Sequence, residues 1–290
     1  MVASLQLLSE RFGCEFPSSP KHITRAPDQI SMSQSIVITS GKGGVGKTTT
    51  TANLSTALAN TGSSVVAVDA DIGLRNLDLL MGLENRIVFN LVDVVKGRCT
   101  ARQAMIKDKR SPNLFLLPTS QVDDKNAVSP EEMGGLVEEL RKGFDYIIID
   151  CPAGIEQGFR NAIAGADRAV VVTTPEVSAV RDADRIIGML QHHDVPSQLI
   201  VNRLSMKMVE SGEMMSQEDV VDILAIDLLG VIPEDSEVVV SGNQGVPVVL
   251  DTNSEAGAAY SRICRRILGE PVPFPDFADK RGFLTRLFRR

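Results

Sequence analysis

Four glycines, two lysines and three hydroxyl-bearing residues crowd into Ser40-Gly41-Lys42-Gly43-Gly44-Val45-Gly46-Lys47-Thr48-Thr49. That composition suits phosphate. Gly41, Gly43, Gly44 and Gly46 let the backbone curl, so that successive N–H groups of the run, Val45 and Thr49 included, point inward at an anion. Lys47 is placed to reach β- and γ-phosphates, and the Thr48 hydroxyl to bind Mg²⁺. A loop of this kind needs a strand before it and a helix after it, because the helix N-terminus adds its own unpaired N–H groups to the cradle. Both are foreshadowed: Ile36-Val37-Ile38-Thr39 is apolar and β-branched, and Ala52-Asn53-Leu54-Ser55-Thr56-Ala57-Leu58-Ala59 has helical composition. A glycine-rich turn without a ligand is the competing explanation, and the flanking strand and helix weigh against it.

Two further runs end in carboxylates. Ser64-Val65-Val66-Ala67-Val68-Asp69 leads into Ala70-Asp71-Ile72-Gly73-Leu74-Arg75-Asn76-Leu77-Asp78, and Tyr146-Ile147-Ile148-Ile149-Asp150 leads into Cys151-Pro152-Ala153-Gly154. The carboxyl ends of buried parallel strands are where such sheets bind ligands. Asp150 is expected to hold the Mg²⁺ shell through water, and Gly154 to bring a backbone N–H near a γ-phosphate. The alternative for each aspartate is a helix cap or a turn. Cys151 reads as a small buried packing residue.

Lys42, directly after the first glycine, makes the loop Lys-Gly-Gly-x-Gly-Lys-Thr, which resembles that of the MinD/ParA family of dimerising ATPases. The run Asp71 to Asp78, the run Asp150 to Ile155 and the C-terminal tail are similar to the MinD branch in particular, and the resemblance extends from residue 36 through the tail. It implies ATP and Mg²⁺ as cofactors and a homodimer formed with ATP. Lys42 would reach the partner's nucleotide, Asp71 would orient the attacking water and Asp69 would lie near the Mg²⁺. Asn202 would bond the adenine ring, whose edge needs both a donor and an acceptor. Pro233, in Ile232-Pro233-Glu234-Asp235, would border the base. The implied task is control of FtsZ-ring placement, with a MinE-like activator and division-ring regulators as partners. Two alternatives stand beside it: a ParA-type partition ATPase that coats DNA, and a nucleotide-gated scaffold without significant turnover.

The bulk numbers bound these readings. The chain has 290 residues, 43% of them hydrophobic, and a net charge of −7. Lys280, Arg281, Arg286, Arg289 and Arg290 carry five of the positive charges and no acid lies among them, which leaves −12 on the rest. A body so acidic argues against nucleic acid as a partner. The four cysteines, Cys14, Cys99, Cys151 and Cys264, are widely spaced and form no Cys-x-x-Cys pair, which disfavours a zinc or iron–sulfur site and suits a reducing compartment. No apolar run approaches a membrane-spanning length.

Along the chain, residues 1–33 are rich in Ser and Pro and read as disorder, an organelle transit segment or a start-site artefact. Residues 34–269 alternate buried strands with helices. This predicts an α/β domain with a mainly parallel twisted sheet covered by helices on both faces. Within it, residues 90–106 read as short helices, Leu114 to Pro118 as a third strand, Ser129-Pro130-Glu131-Glu132 as a capping box, Val177 to His193 as a helix and about Ser254 to Leu268 as the last. Residues 270–279 read as a Pro-rich linker that frees the C-terminal tail from the body. In residues 280–290, Phe283, Leu284, Leu287 and Phe288 share one helical face flanked by basic residues, the pattern of an interfacial helix on an anionic membrane surface. The N-terminal segment and the reducing environment favour a chloroplast protein, in the stroma and on the inner envelope; the alternative is the bacterial cytoplasm and inner membrane.

Overall fold

The computed structural model describes residues 33–124 and 126–275. The expectations for residues 1–32 and for the tail, with Phe283, Leu284, Leu287 and Phe288, lie outside the described residues. The apolar runs become strands β1 (Gln34–Thr39), β2 (Val65–Asp69), β3 (Ile106–Lys107), β4 (Leu114–Leu117), β5 (Tyr146–Asp150), β6 (Arg168–Thr173), β7 (Ser197–Leu204) and β8 (Leu228–Pro233). They pair in the order β3-β4-β2-β5-β1-β6-β7-β8, and every pairing is parallel except β3 with β4. The loop-bearing strand β1 therefore sits well inside the sheet, between β5 and β6.

Alternation fixes the two faces. β1 sends Val37 into one apolar cluster and Ile36 and Ile38 into the other, and β2 does the same with Val66 and Val68 against Val65 and Ala67. Both faces are covered by helices, so apart from the exposed Gln34 these strands are buried and read as apolar runs. Helix α1 (Lys47–Asn60) lacks a polar stripe because it is enclosed on almost all sides: Thr50 through Ala59 are all buried. It packs against the C-terminal helix Glu255–Ile267 and the strands beneath.

The predicted capping box is formed: Ser129 accepts from the Glu132 N–H and the Glu132 carboxylate accepts from the Ser129 N–H, with Pro130 at the first helical position. The short helices in residues 90–106 are Leu91–Val95 and Ala101–Ala104, each with its own capping box. The helix Val177–His192 and the last helix, Glu255–Ile267 with Ser254 as its cap, lie where the sequence puts them. The sequence reading does not anticipate β3, which makes Leu114–Leu117 the fourth strand, or the helices Met206–Ser211 and Glu237–Asn243. Each is too short to give a periodic signal.

Candidate functional site

β1 ends at Thr39 and α1 begins at Lys47, so the glycine run bridges a strand's carboxyl end and a helix N-terminus. Two glycines are required by geometry. Gly46 has φ of 101°, and a Cβ there would overlap the Asn202 carboxamide. At Gly41 the loop approaches the backbone of Asp182, in the helix Val177–His192, so closely that a Cβ would overlap its carbonyl. The loop is pinned from several sides. The Ser40 hydroxyl donates to the Lys42 carbonyl at 2.7 Å, the Gly154 N–H donates to the Ser40 carbonyl at 3.3 Å, and the Asn202 carboxamide donates to the Val45 carbonyl at 2.8 Å.

Lys47 is buried, and so are the carboxylates around it. β2 and β5 pair in register with Asp69 opposite Asp150, so both acids emerge together at the carboxyl edge. The Thr51 hydroxyl lies 3.2 Å from Asp150 Oδ1 and 3.1 Å from the Lys47 carbonyl. Burial pushes the Asp150 carboxyl up to about 7, although Thr48, Lys47 and Thr51 each favour its charged form. Asp69 is raised too, by burial first and then by the Asp150 charge, against N–H donors from Asp71 (3.0 Å) and Leu77 (3.4 Å). Two buried carboxylates facing a lysine and hydroxyls want more positive charge than the chain supplies. This donor set fits a nucleotide-bound Mg²⁺, which takes hard oxygen ligands, keeps several waters and needs only one or two carboxylates. Among the described residues no three His, Cys, Asp or Glu side chains are grouped to hold a metal unaided. Asp150 and Thr48 are the residues that would hold the ion's shell. Asp69, with both oxygens on backbone N–H groups, organises the turn directly after β2.

That turn carries Asp71. Gly73 donates to the Ser120 carbonyl at 2.8 Å, and Leu74 donates to the Asp71 carbonyl at 3.2 Å. Arg75 is left-handed at φ 42°, a conformation that costs a branched or long side chain free energy. Its guanidinium meets the buried Asp78 at 2.9 Å without a well-aligned hydrogen bond, and burial still raises the Asp78 carboxyl. Asp71 opens onto an apolar-walled recess with Ile72, Pro152, Glu156 and Phe159, between this turn and the loop after β5.

Lys42 lies on the surface. Its Nζ is 3.4 Å from Glu176 and 3.1 Å from the Ser178 hydroxyl, with the lysine and glutamate side chains 43% and 56% exposed. On the far side, Asn202 lies two residues before the end of β7 and Pro233 ends β8, and the register brings Leu204 opposite Pro233. The Asn202 carboxamide is occupied within the chain: it donates to the Val45 carbonyl and accepts from the Arg203 N–H at 3.0 Å. Gly154, with φ of 91°, directs its N–H at Ser40. Sequence reasoning misses Thr51, Glu176 and Ser178. Glu176 has a usable signal, for it stands just past the carboxyl end of β6, beside the loop strand.

A family model described as ParA, NUBPL iron-transfer P-loop NTPase, matches residues 31–268. The septum site-determining protein MinD of Bacillus subtilis is 57% identical over 260 residues, covering 88% of this chain and 97% of its own length. This chain belongs to the MinD/ParA family of P-loop NTPases. Within the MinD branch, the protein of Synechocystis is 54% identical over 261 residues, covering 89% of this chain and 98% of its own. Among solved structures, the MinC:MinD complex of Aquifex aeolicus matches with TM-score 0.78 and 48% identity, covering 84% of this chain and 99% of that one. MinD of Pyrococcus horikoshii complexed with Mg-ADP matches with TM-score 0.75 and 32% identity, covering 81% and 96%. The eight-stranded sheet and its loop are thus those of MinD proteins, whose family is one of nucleotide hydrolases.

Proposed function

We propose that this chain is an ATPase of the MinD type that dimerises with ATP, attaches to an anionic membrane through its tail and positions a division ring. The observation that carries the reading is the pair of lysines on one loop with opposite environments. Lys47 is buried beside Asp150, where it serves its own nucleotide, while Lys42 stands at the surface and is free to serve another. Its present bonds to Glu176 and Ser178 are exposed, and such an ion pair contributes no more than about 1 kcal/mol. A partner's phosphate is a stronger attractor for it.

ATP and Mg²⁺ would lie against the N–H groups of residues 41–49, with Lys47 neutralising phosphate charge and Thr48 and Asp150 holding the ion's shell. The Asp71 carboxylate would orient the water for attack. Asn202 would turn from Val45 to the base, with Pro233 beside it. A MinE-like activator and ring regulators are the partners this reading needs, and the MinC:MinD complex of Aquifex aeolicus is a structural precedent for one. No helix among the described residues is long and apolar enough to cross a membrane, so attachment would be peripheral. The resemblance to cyanobacterial MinD suits a chloroplast site, on the inner envelope's stromal surface, as well as a bacterial one.

The test is co-sedimentation with vesicles of anionic phospholipid together with the rate of phosphate release. ATP-dependent sedimentation with turnover supports the reading; equal sedimentation with ADP and ATP overturns the dimer-driven attachment. Turnover indistinguishable from background, with activator and membrane present, leaves the scaffold alternative.

A further inference from the structure

The sequence makes residues 270–279 a spacer detached from the body, but the structure ties its first half down. The helix Glu255–Ile267 ends in Leu268, and Gly269, at φ 86°, turns the chain back. Arg265 pairs with Glu270 at 2.7 Å as the turn closes. Arg266 then holds the proline-rich segment itself. Its Nε donates to the Val272 carbonyl at 3.0 Å, its Nη2 to the Pro273 carbonyl at 2.8 Å and its Nη1 to the Leu229 carbonyl of the edge strand β8 at 3.0 Å. The Phe274 ring lies over the same guanidinium, with its centroid 4.0 Å away.

The chemistry of the segment explains why one arginine suffices. Pro271, Pro273 and Pro275 have no N–H, so this stretch can bond to the body almost only through its carbonyls. A guanidinium supplies several donors in a rigid fork and a flat face for an aromatic ring. The path is open because β8 carries Gly230, where a Cβ would overlap Ile263 beside Arg266.

We propose that Arg266 is a positioning residue for membrane attachment: it moves the tether point of the tail from Leu268 to Pro275, close to β8. This rests on the attachment reading above. The ligand is a surface of anionic phospholipid headgroups. With the clamp closed, four residues, 276–279, separate the body from the tail; with it open, the count from Gly269 is eleven. Tether reach scales as about 5–6 Å times the square root of the residue count, which sets about 11 Å for four residues and about 18 Å for eleven. Effective concentration falls roughly as the −3/2 power of tether length, here about four- to fivefold. In a dimer with one tail already on the membrane, that dilution acts on the second tail.

The experiment uses the full chain with vesicles containing anionic phospholipid, with ATP and separately with ADP. Three changes are compared: Arg266→Ala, Phe274→Ala at a ring 44% exposed, and a seven-residue Gly/Ser insertion after Pro275. Each is expected to raise the half-saturating lipid concentration with ATP about three- to fivefold, while leaving ATP affinity and the weak ADP-state binding unchanged. Inserted into Arg266→Ala, the same linker should cost only about twofold more, because the tether is already long. Wild-type lipid affinity in both point variants overturns the clamp, as does a full multiplicative loss in the combined variant. Absence of ATP-dependent binding by the wild-type chain overturns the attachment reading, and the clamp with it. Phe274→Ala keeps the question decidable should Arg266→Ala fail to fold.

Discussion

The phosphate loop and the turn after β2 both leave the carboxyl edge of the sheet, yet they are built on opposite principles. The loop is over-determined: glycines at the tight points, side-chain and backbone bonds from β7, from the residue run after β5 and from its own Ser40. The turn is left with costs. Arg75 is held left-handed, Asp78 is buried against an imperfectly aligned arginine, and Asp69 and Asp150 face each other with raised carboxyls. A site that must bind a highly charged ligand gains from a preformed cradle. A site that must change with the ligand gains from groups whose satisfaction waits on it. The contrast teaches which residues should respond to nucleotide and which should not.

The largest expected effect breaks the cradle. Lys47→Ala should lose nucleotide binding, as read by calorimetric titration, because it leaves phosphate charge unneutralised in a buried site; normal ATP affinity would sink the assignment. Next comes the turn. Asp71→Ala should bind ATP and elute as a dimer on size exclusion, with turnover down by roughly 10²–10⁴; a monomer with ATP would mean that the turn is not the hydrolytic switch.

A pH experiment sharpens the comparison further. Asp150 titrates near 7 in the folded chain and at the ordinary aspartate value when unfolded. The folded state thus binds the extra proton between those values, so stability without nucleotide must fall as pH rises through that window and be fullest below it. The nucleotide-free melting temperature should drop between about pH 4 and pH 7 and level off above that, and Asp150→Asn should flatten the slope. A flat wild-type profile would show that the carboxylates are already compensated. The smallest effect on the folded chain itself belongs to Lys42→Ala. The exposed pair with Glu176 predicts a stability change under about 1 kcal/mol by denaturant titration, alongside intact ATP binding and loss of activator-stimulated turnover. A large destabilisation would make Lys42 a structural residue.

How much of this was legible in the sequence depends on distance along the chain. The loop, the cap at Ser129, the last helix, the buried strands and the strand-end aspartates are local patterns, and each lies where the sequence puts it. What escaped is non-local. Lys42 meets Glu176 and Asn202 meets Val45 across more than a hundred residues, and neither pairing leaves a spacing to read. β3 escaped because two residues cannot show alternation. Pro271 to Pro275 signalled a detached spacer by composition, and one arginine on a neighbouring helix makes it part of the body.

The central place of β1 in the sheet also bears on how the chain is made. β1 leaves the ribosome before every other described strand, but the strands that flank it, β5 and β6, begin at Tyr146 and Arg168. At about 5–20 residues per second, roughly 6–25 s of synthesis separate β1 from its neighbours. Throughout that interval an apolar segment with open edges waits without its partners, so the loop proposed to hold the nucleotide follows a part of the newborn chain that is exposed to aggregation.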